Sequence, residues 1–160
     1  MSIDVAIMMG SKSDLGVMKP AAKVLEDLGL RVAVRVLSAH RTPVETAAFV
    51  KDAVAGGCKV FICAAGGAAH LAGVAAAHTV LPVLGVPIES ASLKGLDSLL
   101  STVQMPSGIP VGTLGIGKPG AINAALLAAA VLAASRPDLR AKLHAYRREQ
   151  ARTILDTTLP

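Results

Sequence analysis

Five short apolar runs, each leading through a polar or glycine-bearing loop toward a helix-like stretch, constrain this chain more than any other feature. They are Ile3–Met9, Val32–Leu37, Val60–Ala64, Pro82–Pro87 and Ile109–Leu114. Short runs rich in branched residues are the pattern of strands buried on both faces of a parallel sheet. Helix-like segments follow over Leu15–Leu28, Pro43–Ala55, part of Ser90–Thr102, and Ala121–Ser135. Pro137 breaks the last of these, and a basic amphipathic helix runs over about 138–155. Regular strand–helix alternation predicts a three-layer α/β fold around a five-stranded parallel sheet. The short connections predict the flavodoxin-like order 2-1-3-4-5, with an extra C-terminal helix. The whole of 1–160 then forms one domain, an ordinary size for this length.

In that order the first three strands are neighbours, and their carboxyl-end loops converge where open α/β sheets bind ligands. The first loop is Gly10-Ser11-Lys12-Ser13-Asp14. A strand, a Gly/Ser turn and a helix present backbone N–H groups and a positive dipole end to a phosphate. Ser11 and Ser13 add hydroxyls, and Asp14 can accept from a ribose hydroxyl; equally, Ser13 or Asp14 can be a plain helix cap. No Walker Gly-Lys-Ser/Thr is present, so this is not a P-loop.

The second loop, Ser38-Ala39-His40-Arg41-Thr42-Pro43, places a Ser, a His and an Arg on one tight turn. An imidazole exchanges protons near neutral pH, and a guanidinium holds phosphate through paired hydrogen bonds. The plainer alternative is that Thr42 caps the helix, Pro43 opens it, and His40 and Arg41 face water. The third loop, Ala65-Gly66-Gly67-Ala68-Ala69-His70-Leu71, is glycine-rich and ends in a histidine. Its glycines let backbone approach a ligand, and their N–H groups can bind a carboxylate or oxyanion. His70 can also simply pack within a helix. His78 and His144 have no such loop around them.

Apolar residues make up 52% of the chain and charged ones 17%, with mean hydropathy +0.57. About 25% charged is usual, so there are too few charges to coat an isolated globule. Surface buried against copies of the same chain, a homo-oligomer, is the expectation. The near-wholly apolar stretch Ala121–Ala134 is shorter than the about 20 residues a membrane span needs. Net charge +5 suits an anionic ligand. With two Phe, one Tyr and no Trp, base-stacking platforms are scarce and no nucleic-acid signature is present. Cys58 and Cys63 read as buried free thiols of a reducing compartment, and nothing resembles a metal-binding Cys/His cluster. The first residues carry no basic segment ahead of an apolar signal region, so cytoplasmic residence is expected.

The three loops, with Pro82–Pro87, Asp97-Ser-Leu-Leu-Ser101, Gln104-Met-Pro106 and the Gly117–Ala130 stretch, resemble the PurE family in order from about Ile3 to Ala134. The bacterial class I branch of that family isomerises N5-carboxyaminoimidazole ribonucleotide to its C4-carboxylated isomer. The resemblance implies a homo-octameric mutase of purine biosynthesis that uses no ATP, biotin or metal, its 138–155 helix packing on a neighbouring subunit. It implies His40 as general acid/base, Ser11 and Arg41 at the phosphate, and Asp14 at the ribose, with Ser13 beside them. Ser38 and the loop Gly66, Gly67, Ala68, His70 and Leu71 would surround the migrating carboxyl group. Burial against Arg41 is expected to hold His40 near working pH. Ala72 departs from the Pro common after the His-Leu pair and should loosen that helix start slightly. Glu89-Ser90 also departs, without explanation. Three rivals stand beside this reading: a class II aminoimidazole ribonucleotide carboxylase using CO2 directly, a flavodoxin-like nucleotide or FMN module, and a purely oligomeric scaffold, which leaves the three polar loops unexplained. The second is weakened because Phe49, Phe61 and Tyr146 all lie outside the three loops.

Overall fold

The computed structural model describes residues 3–159; the expected 1–160 domain extends past these by residues 1, 2 and 160, which lie outside the described residues. Val5–Met9 forms β1, a run of five buried apolar residues. It pairs in parallel with β2 (Val32–Val36) on one side and β3 (Val60–Gly66) on the other, Val5 opposite Val32 and Val60. β4 (Val83–Ile88) pairs with β3, and β5 (Gly112–Thr113) with β4. The sheet order is β2-β1-β3-β4-β5, as expected. Five helices lie between and after these strands: α1 (Leu15–Asp27), α2 (Pro43–Ala55), α3 (Leu71–Ala76), α4 (Leu96–Val103) and α5 (Gly117–Ala133). A sixth, α6 (Pro137–Leu155), ends the fold.

The period of two along each strand divides the core. Val5, Ile7 and Met9 with Val60, Ile62 and Ala64 face one layer, packed against Met18, Leu25 and the alanine face of α5. Ala6 and Met8 with Phe61 and Cys63 face the other, against Val50, Leu71 and Ala75. Each large apolar side chain removed from water contributes about 1.5–3 kcal/mol, so the central strands are the best anchored part of the molecule. Cys58 and Cys63 are both free and buried, and burial pushes the Cys63 thiol up to about 12.

Two expectations shift. The fifth strand shrinks from Ile109–Leu114 to two residues, because Pro110 has no N–H to donate to a ladder. α5 starts a turn earlier than Ala121, at Gly117, since a proline such as Pro119 is tolerated in a first turn. Pro137 ends that helix region and then opens α6, and Arg140 Nη2 donates to Ala133 O (3.1 Å) and Ala134 O (3.0 Å) at the end of α5. The first turns of α6 pack on their own subunit through buried Leu139 and through Lys142 Nζ donating to Leu28 O at 2.8 Å. From Arg147 onward α6 is exposed.

Candidate active site

β1, β2, β3 and β4 all end at the same sheet edge, which sets four loops around a cavity of about 310 Å³. That lies at the lower end of ligand-site volumes. Its lining brings together every residue picked out from the sequence: Ser11, Ser13, Asp14, Ser38, His40, Arg41, Gly66, Gly67, Ala68, His70 and Leu71. A second cavity of about 290 Å³, between α5 and α6, contains none of them.

The first loop closes on itself. Ser11 caps a short 3-10 turn over Lys12–Asp14, its hydroxyl accepting from Ser13 N at 3.3 Å while Asp14 Oδ2 accepts from Ser11 N at 3.1 Å. Ser11 caps this turn and Asp14 completes its reciprocal capping box; Asp14 also stands at the N-cap position of α1, as the plainer reading allowed, but makes no side-chain cap bond there. Asp14 is only 7% exposed, and burial raises its carboxyl above the usual carboxylate range, opposed by the bonds from Ser11 and Ser13.

The second loop is held by a different bond from the one the sequence suggested. Thr42 flanks α2, but its hydroxyl makes no bond to the helix start. It accepts from Ser38 N at 2.9 Å and donates to Ser38 O at 3.0 Å, pinning the loop's first residue to its fifth. Arg41 N donates to Ser38 Oγ at 3.2 Å, and the exposed guanidinium reaches toward Gly10 O, linking this loop to the first.

His40 and His70 meet across the cavity mouth, Nε2 to Nδ1 at 2.7 Å, with ring centroids 4.8 Å apart and planes at 86°. Such a bond needs one protonated and one bare nitrogen, so the pair shares a single hydrogen between the rings. His70 flanks the start of α3 and faces His40, rather than packing inside a helix. His40 is exposed in the chain, which corrects the expected burial against Arg41.

The glycine loop also differs from expectation. Gly67 takes a left-handed turn, φ 67°, a conformation that favours glycine. Its N–H, however, donates to Ser98 Oγ at 2.9 Å, and the Ala69 N–H donates to Ser101 Oγ at 2.9 Å. Those two donors point to α4 instead of to an oxyanion. Ala72 is buried in the first turn of α3, which forms from Leu71 without proline at that place.

Three lining residues lie outside the three loops read from the sequence: Ile88, Glu89 and Ser90, at the end of β4 and just after it. Ser90 has a clear local function, its hydroxyl donating to Asp97 Oδ1 at 2.6 Å and accepting from Gly95 N at 3.1 Å. The bond from Ser90 holds the Asp97 carboxyl below its usual range. The signal that could have found them is topological, since β4 neighbours β3 and must end over the same crevice.

A family model described as AIR carboxylase matches residues 4–153. The chain belongs to the AIR carboxylase family. Among AIR carboxylase relatives, the N5-carboxyaminoimidazole ribonucleotide mutase of Brucella melitensis is 58% identical over 98% of this chain and 96% of its own length. The enzyme of the same name from Escherichia coli K12 is 53% identical, over 98% of this chain and 92% of its own. The crystal structure of Treponema denticola PurE superposes with a TM-score of 0.86 at 29% identity, covering 95% of this chain and 94% of that one. The flavodoxin-like sheet read from the sequence is thus the AIR carboxylase sheet. Among the described residues, no cluster of His, Cys, Asp or Glu could hold a metal ion, and no helix is long and apolar enough to cross a membrane.

Proposed function

We propose that this chain is an N5-carboxyaminoimidazole ribonucleotide mutase, moving a carboxyl group from the exocyclic N5 to ring carbon C4 of an imidazole nucleotide. What carries the reading is 58% identity, over 98% of the chain, to a relative of that name. The meeting of three predicted loops over one cavity supports it.

The nucleotide phosphate lies against Ser11 and Arg41, whose guanidinium suits a dianion. Asp14 accepts from the ribose, with Ser13 beside it. The base then reaches His40, and Ser38 with the Gly66–Leu71 loop encloses the carboxyl group. His40 donates its proton to N5, the N–CO2 bond breaks, and neutral CO2 remains beside the aminoimidazole. The ring is an enamine, nucleophilic at C4. C4 bonds to CO2, the new carboxylate takes the negative charge, and His40 removes the C4 proton to restore aromaticity. His40 ends as it began, so one imidazole serves both half-reactions. His70, 2.7 Å away in the free chain, gives the His40 ring a partner before the base arrives.

The enzyme works in the cytoplasm as a homo-octamer. Exposed Leu127 and Val131 on α5, and Ile154 and Leu155 on the outer half of α6, support assembly through those faces.

The test is conversion of the synthetic carbamate to the 4-carboxy isomer without ATP, compared with bicarbonate-dependent carboxylation of the uncarboxylated nucleotide. Mutase activity is expected to dominate; carboxylation alone points to the class II rival. His40→Asn should lower turnover about 10²–10⁴-fold while product nucleotide still binds. Near-normal turnover in that variant refutes the role of His40.

A further inference from the structure

Three hydroxyl residues sit on one face of α4 at helical spacing: Ser98, Ser101 and Thr102. Ser98 is fully buried and Thr102 is 3% exposed. Polar side chains so deep in a core are kept only with their hydrogen bonds made, and here the partners are loop backbone.

Ser98 Oγ donates to Ile88 O at 2.6 Å and accepts from Gly67 N at 2.9 Å, so one hydroxyl joins the end of β4 to the glycine loop. Ser101 Oγ accepts from Ala69 N at 2.9 Å and lies 3.1 Å from Gly67 O, its hydrogen shared with Asp97 O at 2.8 Å in its own helix. Thr102 Oγ1 donates to Ser98 O at 2.7 Å, with Ala69 O at 3.3 Å. The peptide groups on both sides of Ala68 are thereby fixed to α4. Ala68 itself lines the cavity, and its N–H makes no hydrogen bond among the described residues. His70 is tied to the same short segment, its N–H donating to Ala68 O at 2.9 Å.

We infer that Ser98 and Ser101 are positioning residues that hold the glycine loop closed over CO2 between its release and its recapture. The inference rests on the mutase reading above. Neither residue lines the cavity; both act through the backbone of Gly67 and Ala69. Neutral CO2 offers no charge for a side chain to grip, so its retention depends on a wall that does not move. A loop freed from α4 opens a path for CO2 to leave, and the aminoimidazole is then released without its carboxyl group. The phosphate and ribose contacts belong to the loops after β1 and β2 and are untouched by this change. A small loss of placement at a reacting centre is enough to cost about 10²-fold.

The experiment follows one turnover mixture for two products, the 4-carboxy isomer and the leaked aminoimidazole nucleotide, after subtraction of spontaneous carbamate loss. Ser101→Ala should raise the ratio of leaked to carboxylated product about 10-fold or more and lower kcat for the isomer, with KM within about twofold. Ser101→Thr, which keeps the hydroxyl, should restore the wild-type ratio. Ser98→Ala should leak in the same direction, and its unfolding midpoint is measured alongside because its site is fully buried. An unchanged ratio in Ser101→Ala overturns the positioning role even if stability falls. A Ser101→Thr variant that folds but leaks as the alanine variant does also overturns it. Absence of isomerisation by the wild-type chain overturns the mutase reading itself and is recognised before any variant is compared.

Discussion

Gly85, in the middle of β4, faces Thr102 of α4 with no room for a side chain, and replacing it with alanine should unseat the helix. A Cβ at this position would lie 2.4 Å from Thr102 Cγ2, 3.1 Å from Val111 Cγ1 and 3.4 Å from Ala72 Cβ. Carbon atoms in good contact stand about 3.5–4.0 Å apart, so about 1 Å must be absorbed against Thr102 alone. The Thr102 methyl is not free to swing away, because Oγ1 is bonded to Ser98 O at 2.7 Å. Overpacking of this kind typically costs about 1–3 kcal/mol, and contact with a fixed γ-methyl belongs at the upper end. For a chain of this length that is about 5–10 °C in Tm. Urea and thermal unfolding of wild type and Gly85→Ala, at one fixed protomer concentration because assembly shifts apparent stability, give the measurement. Thr102→Ser removes the offending methyl and keeps the hydroxyl. The double variant should therefore recover more than about 1 kcal/mol relative to additivity. A Gly85→Ala protein within about 0.5 kcal/mol of wild type, or a double variant no better than additive, would refute the steric reasoning.

Asp14→Asn should separate stability from binding. Burial raises the Asp14 carboxyl in the folded chain, so its contribution is present below the ordinary value of 3.8 and is lost as pH rises through the raised value. At neutral pH the buried charge costs stability, and the asparagine variant should be more stable by about 0.5–1 kcal/mol while binding product nucleotide about 10–100-fold more weakly. Calorimetry and denaturant titration at pH 7 check both; a variant less stable at pH 7 than at pH 3.5, relative to wild type, contradicts the sign. Asp4 has the opposite sense, its carboxyl held below 3.8 first by the side-chain bond from Arg31. Its stabilisation is present above 3.8 and is lost as pH falls through the depressed value, so Asp4→Asn should flatten the acid limb of the stability curve. Because the Arg31 side chain is 61% exposed, the effect should be about 1 kcal/mol after screening; an unchanged acid limb shows the pair to be idle.

The central sheet was readable because β1 and β3 are buried on both faces, and a run such as Val-Ala-Ile-Met-Met leaves period and length little room for another assignment. The loops were readable for a related reason, since strand order alone brings residues 11–14, 38–41 and 66–70 to one edge. What stayed hidden depends on side-chain direction. Thr42 has the composition of a helix cap, yet its hydroxyl turns back to Ser38, a choice between two nearby acceptors that propensity does not decide. The hydroxyls of Ser98 and Ser101 were visible as letters, but their partners lie more than 30 residues away, at Gly67 and Ala69. The pairing of His40 with His70 is equally invisible, although strand order brings both loops to the same crevice.

Because Ser11 and Asp14 satisfy one another across the turn after β1, that turn is held in one conformation by its own side chains. A molecule docking there freezes little that was moving, so the entropic loss that weakens many loop-built sites is largely met during folding. The same closure imposes a limit. Asp14 Oδ2 is already taken by Ser11 N, and Oδ1 is shared only with the Ser13 hydroxyl. On the ribose role proposed for Asp14, discrimination between sugars at this end of the cavity would rest on one acceptor oxygen on a stiff support, and analogues lacking a hydroxyl in its reach would find no yielding segment to compensate them.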